Sequence, residues 1–257
     1  MTQTPPANDV AMGTILLSSH RDAESLLELV RRFAPGACVG AEGETGSAII
    51  QYSDGGVELF LTPIDASHAG QEVVDYIHPI LTEEEEIPHI INHSAQLLVV
   101  AARLGGGNPG RAREERREVR QAHARAIRGL IDMEEAVGYV RPGTTMGLRA
   151  LRGQLADATQ PPVYLHAPVW LWAGDDGLTA YTFGLADLGH PELQVVASAA
   201  EPAEIFTLLC DLVAYVAEKG ATLSDGDTFG RTGGERIPLT GARWLVDAEQ
   251  DALRLEI

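Results

Sequence analysis

The chain has 257 residues, 45% hydrophobic, enough to bury a sizeable core in one large domain or two small ones. Its net charge of −18 repels nucleic acid and anionic membrane, and no apolar run approaches the roughly 20 residues of a membrane span. Two distant cysteines, Cys38 and Cys210, form no disulfide framework, so both are expected as buried free thiols. The first 12 residues have neither a basic nor an apolar leader region and read as a disordered lead of a cytoplasmic protein.

Residues 13–104 read as an N-terminal α+β half. GTILLSS (13–19) is strand-like, and RDAESLLELVRRFA (21–34) has helical spacing closed by Pro-Gly. GSAIIQYS and GVELFLTPI flank DGG, a hairpin signal. AGQEVVDYIHPI (69–80) is a helix candidate halted by Pro79, and AQLLVVAARL (95–104) a buried strand. The order β-α-β-β-α-β is that of a ferredoxin-like unit.

Residues 105–162 read as a helical connector region. GGGNPG (105–110) precedes a helix from about Arg111 to Ala136, the strand VGYVR and the helix GLRALRGQLADA. The C-terminal half, 163–257, opens with VWLWAG and LTAYTFGL, a hairpin around DDG, followed by the strand ELQVVAS. EPAEIFTLLCDLVAYVAEKG is the clearest helix, with Pro202 in its first turn, acidic Glu201 and Glu204 at its start and Gly220 as its C-cap. RIPLT, RWLVD and ALRLEI finish as strands. The expected architecture is therefore α+β, two loosely ferredoxin-like halves in one unit.

Several groups of residues carry candidate chemistry. His89 and His93 are four apart and would share a helix face as metal ligands, with Glu86 as a third. A zincin places glutamate after the first histidine, where Ile90 stands, and the competing reading is an acidic loop leading to a hydrogen-bonded histidine. RLGGGNPGRAREE sets glycines before a helix, with Arg111 and Arg113 as anion ligands, but lacks the lysine and hydroxyl of a P-loop. On the helix that follows, Arg113, Arg117, Arg120 and Arg128 share one side, either as an anion-binding stripe or as a salt-bridged solvent face. No nucleophile motif is present, so no catalytic residue and no cofactor are assigned. Trp170 and Trp172 share one strand face, and Asp187, His190 and Glu192 fall close together. ATLSDGDTFG (221–230) has two aspartates of an EF-hand frame but Phe229 at the third ligand position, so it reads as a turn.

YTFGLADLGHPELQV, AEPAEIFTLLCDLVAYVAEKGATLSDGDTFG and the terminal strands together resemble a bacterial family, domain of unknown function 4261. The matching features are Thr182 to Leu185, Gly189 to Leu193, LVAYV and Asp225 to Thr228, with Phe183 where the family often has a basic residue. Upstream, NHSAQLLVV resembles the family's histidine before a buried strand, here His93, and VGYVRPGTTM its central strand and loop. The resemblance implies a shared cytosolic α+β fold, no defined reaction, and association with interaction, secretion and toxin systems.

Two functions are expected. One is a non-enzymatic binding protein, an immunity or accessory protein holding a basic protein partner through its acidic surface. The other is an enzyme or small-ligand sensor with a pocket between the halves, lined by His93, Trp170, Trp172, Thr182 and His190. Oligomeric state is not set by the sequence.

Overall fold

The computed structural model describes residues 10–42, 48–68, 71–104, 111–157, 162–230, 234 and 236–257. The glycine-rich stretch 105–110, most of the N-terminal lead and Glu235 lie outside these residues. The chain divides into two units, Met1–Gln160 and Pro161–Ile257. It is a mixed α/β protein with two sheets and, among the described residues, seven α-helices. No helix among the described residues is long and apolar enough to cross a membrane.

The first unit comprises β1 (Val10–Leu17), α1 (Ala23–Arg31), β2 (Cys38–Glu42), β3 (Ala48–Asp54), β4 (Val57–Ile64), α2 (Glu72–Asp75), α3 (Ile87–Ile91), β5 (Ala95–Ala102), α4 (Ala112–Leu130), β6 (Ala136–Arg141), β7 (Thr144–Met146) and α5 (Leu148–Leu155). Asp22 starts α1 by accepting a hydrogen bond from the Ser25 backbone N–H at 2.9 Å. The DGG signal becomes the β3–β4 hairpin, with Gly55 and Gly56 at φ 62° and 81°, the paired left-handed residues that suit strand twist.

The seven strands lie in the order β2-β3-β4-β5-β1-β6-β7, every pair antiparallel. A ferredoxin-like unit would insert β1 between β4 and β5. Here β4 and β5 pair directly and β1 lies outside them, so element order did not specify strand order. The segment expected as a helical connector supplies β6 and β7 to this sheet and α4 to one of its faces. Cys38 sits on the edge strand β2 and is exposed, against the expected burial.

Strand alternation gives each face its chemistry. Ala11, Ile15, Leu59, Leu61, Leu97, Val99 and Ala101 are buried and in register on the face that α4 covers with Val119, Ala122, Ala126, Ile127 and Leu130. Tyr139 completes this layer over Gly13, where a Cβ would overlap its ring. On the opposite face Leu16 packs with Val73 and Ile90. The helix expected over 69–80 shrinks to the four residues of α2, because the chain at Ile77 turns to bridge Thr145 of β7. The helix expected to reach Ala136 ends at Leu130, and Ala136 begins β6.

The acidic run 83–86 is partly structural. The Glu86 carboxylate accepts the Glu83 and Arg149 backbone N–H groups at 3.0 and 2.9 Å, in space that a Cβ on Gly147 would fill. Glu83 pairs with Arg149.

The second unit comprises α6 (Val163–His166), β8 (Val169–Gly174), β9 (Gly177–Thr182), a 3-10 turn (Leu185–Leu188), β10 (Glu192–Ser198), α7 (Pro202–Lys219), β11 (Thr228–Phe229), β12 (Ile237–Arg243) and β13 (Asp251–Leu255). Its strand order is β11-β12-β13-β10-β9-β8, with β10 and β13 parallel across the α7 crossover. α7 ends on Gly220 at φ 60° and buries Ile205, Leu208, Leu209, Leu212, Val213 and Val216 in a core with Val169, Ala180, Leu193 and Val195. Cys210 is half-buried beside this core, and burial pushes its thiol up to about 12. Of the last three expected strands, RWLVD is instead mostly the turn between β12 and β13.

Candidate functional site

The sequence singled out His93, and the structure explains it within the first unit. His93 is 8% exposed at the end of α3. Its Nε2 accepts the His68 backbone N–H at 2.7 Å, so its Nδ1 carries the proton and donates to the Ile90 carbonyl at 2.6 Å. Both ring nitrogens are thus engaged by the chain, and the histidine fixes the segment that carries His68. His89 is exposed on α3. Among the described residues no three His, Cys, Asp or Glu side chains are placed to hold a metal.

His68 opens onto a cleft of about 220 Å³ in the first unit. Three pieces of chain build it: Met12 to Thr14 of β1, the turn from Val140 to Thr145, and His68, Glu72 and Tyr76. The turn is tight because Pro142 and Gly143, the latter at φ 71°, join the paired Arg141 and Thr144. Thr145 is tied to the facing segment, donating its N–H to the Tyr76 carbonyl at 2.7 Å and accepting the His78 N–H at 2.8 Å.

Two of the residues that line the cleft hold buried polar atoms without a partner among the described residues. Thr145 is fully buried, yet its Oγ1 has no hydrogen-bond partner among the described residues, and neither has the buried Nδ1 of His68. Buried polar atoms are nearly always paired, so two in one cleft form an unusual pair. Arg141 also borders the cleft, but alternation along β6 sets it on the Tyr139 face. Its charge acts there on Tyr139 and on His123.

His123, on the buried side of α4, is a separate case. Burial, then the Arg120 charge, holds its imidazole down to about 3, against a hydrogen bond with the Val99 backbone and with Arg141 adding to the depression. Its Nε2 has no partner among the described residues, but it lies outside the cleft.

The other sequence candidates lie in the second unit and do not share one face. Trp170 stands opposite Tyr181, and Trp172 opposite Thr179. Trp172, 45% exposed, meets Tyr181 at 5.5 Å between ring centroids, and Tyr181 and Phe183 meet Trp244 at 6.1 and 5.3 Å. Thr182 is opposite Val169 on the α7 face. Its hydroxyl donates to Glu192 Oε2 at 2.7 Å and accepts the Leu193 N–H at 2.8 Å. Glu192 Oε1 accepts the N–H groups of Gly184 and Ala186 at 2.8 and 3.1 Å. Burial raises the Glu192 carboxyl above its ordinary range, against these same bonds. His190 is buried after the 3-10 turn, its N–H on the Leu185 carbonyl at 3.1 Å.

At the start of α4, the preceding Arg111 meets Glu114 at 2.9 Å and Glu118 at 3.6 Å, and Arg113 is exposed. In the 221–230 stretch both aspartates hold backbone, Asp227 accepting from Ser224 at 2.8 Å and Asp225 from Gly241 at 2.9 Å.

Residues 181–256 match the family model described as Domain of unknown function (DUF4261). The match takes in Thr182, Glu192, α7 and the last strands, whereas the cleft lies outside it. No curated protein and no solved structure matches the chain significantly.

Sequence reasoning missed His68, Glu72, Tyr76, Thr14 and Thr145. The one local signal was Pro142-Gly143 between two strand-like pieces, which marks a tight hairpin. Nothing near His68 distinguishes it from an ordinary loop histidine.

Proposed function

We propose that this chain is a cytoplasmic binding protein whose first unit takes a small ligand in the cleft beside His68. One observation supports the reading: His68 and Thr145, which line the same cleft, each hold a buried polar atom, Nδ1 and Oγ1, that is unpartnered among the described residues. A buried polar atom without a partner costs about 1–3 kcal/mol, and a ligand's own polar groups remove that cost. Met12, 47% exposed at the rim, offers a clean block. Met12→Trp is expected to abolish thermal stabilisation by any small molecule that raises the melting temperature of the wild type; unchanged stabilisation contradicts the reading.

A second reading concerns a macromolecular partner. The net charge of −18, with Glu84 and Glu85 exposed beside α3, suits a basic protein, as an immunity or accessory role would require. Such an association weakens steeply with salt. Capture of a basic partner that persists unchanged at high salt contradicts the electrostatic basis.

A further inference from the structure

We propose that the cleft's ligand is a small organic cation, an ammonium group with a hydroxyl or second amine beside it. The proposal rests on the cleft being the ligand site.

Charge decides the sign. Two charged side chains border the cleft, Arg141 and Glu72. The alternation of β6 directs Arg141 to the Tyr139 face, where its charge is felt by Tyr139 and His123. The exposed Glu72 carboxylate has no hydrogen bond or ion pair among the described residues, so the charge left for a ligand is negative. A net charge of −18 also concentrates cations at the surface before they meet the cleft.

The remaining walls fit the rest of such a molecule. Tyr76, 46% exposed, offers an aromatic ring, and a ring face attracts an ammonium group. The Thr14 and Thr145 hydroxyls and His68 Nδ1 supply hydrogen bonds for a neighbouring hydroxyl or amine. Size favours a small molecule: about 220 Å³ is below the roughly 300–1,000 Å³ of sites for drug-sized ligands. A bare metal ion is disfavoured because the cleft offers one carboxylate and one imidazole.

The test is titration of the isotope-labelled full chain with ethanolamine, ethylene glycol and glycolate, one cation, one neutral and one anion of similar size. Ethanolamine is expected to shift the Thr14, His68 and Thr145 amides saturably. Glu72→Gln, on an exposed side chain, should weaken that binding tenfold or more, and Thr145→Val severalfold. Tighter binding of glycolate or ethylene glycol at the same amides overturns the cation assignment and leaves the cleft as a ligand site. No saturable shift of those amides with any probe overturns both.

Discussion

Two buried threonines show how differently the two units treat the same chemistry. Thr182 and Thr145 are both fully buried on strands. The Thr182 hydroxyl is tied into a knot with Glu192 and the Leu193 N–H, and Glu192 in turn gathers Gly184 and Ala186. The Thr145 hydroxyl, with His68 Nδ1 beside the same cleft, is left unpartnered among the described residues. The knot closes on itself and serves the fold. The cleft is open, and its unused polar atoms are what a ligand would engage. A buried polar residue therefore points to function through what it lacks, not through its type.

His123 offers the largest effect, and it separates an unpartnered atom outside the cleft from one that lines it. Its folded value, about 3, lies below its ordinary 6.5, so its contribution is full above pH 6.5 and is lost as pH falls towards 3. The loss is about 1.4 kcal/mol per pH unit in that window. His123→Leu should flatten the stability profile there, measured by urea unfolding from pH 7 to pH 4, while ligand binding is unchanged. Next comes the knot: Glu192→Ala should cost about 3 kcal/mol, because Thr182, Gly184 and Ala186 lose their acceptor in a buried site. A loss below 1 kcal/mol would show that the knot is not closed. His93→Leu should cost about 2 kcal/mol by releasing the His68 N–H and the Ile90 carbonyl. It should also speed hydrogen exchange of the His68 amide, which an unrelated core defect would leave protected.

What the sequence made legible was local. The DGG and DDG hairpins and the start and end of α7 follow from turn and cap chemistry carried within a few residues. Strand order was not legible, because placing β5 between β4 and β1 depends on pairing between distant segments. The cleft escaped for the same reason. Met12, His68 and Thr145 are brought together by the β1–β6 and β6–β7 pairings, the Ile77–Thr145 bridge and the His93 bond to the His68 N–H. His93 was visible as a histidine before a buried strand, but its task, holding His68 in place, depends on a contact 25 residues away in sequence. Trp170 and Thr182 were expected to line one pocket, yet alternation on their hairpin sends them to opposite faces.

The most direct measurement compares Thr145→Val with Thr182→Val in the same urea unfolding experiment. Each replaces a hydroxyl by a methyl of nearly equal volume, so only the fate of the hydrogen bonds differs. Thr182→Val should cost about 2 kcal/mol, since it leaves Glu192 and the Leu193 N–H without their partner. Thr145→Val should be neutral or stabilising by up to about 1 kcal/mol, since it removes a hydroxyl that the fold does not use. An equal loss in the two variants would show that Thr145 is as fully committed to the fold as Thr182, and would contradict the reading of the cleft as a site held open for a ligand.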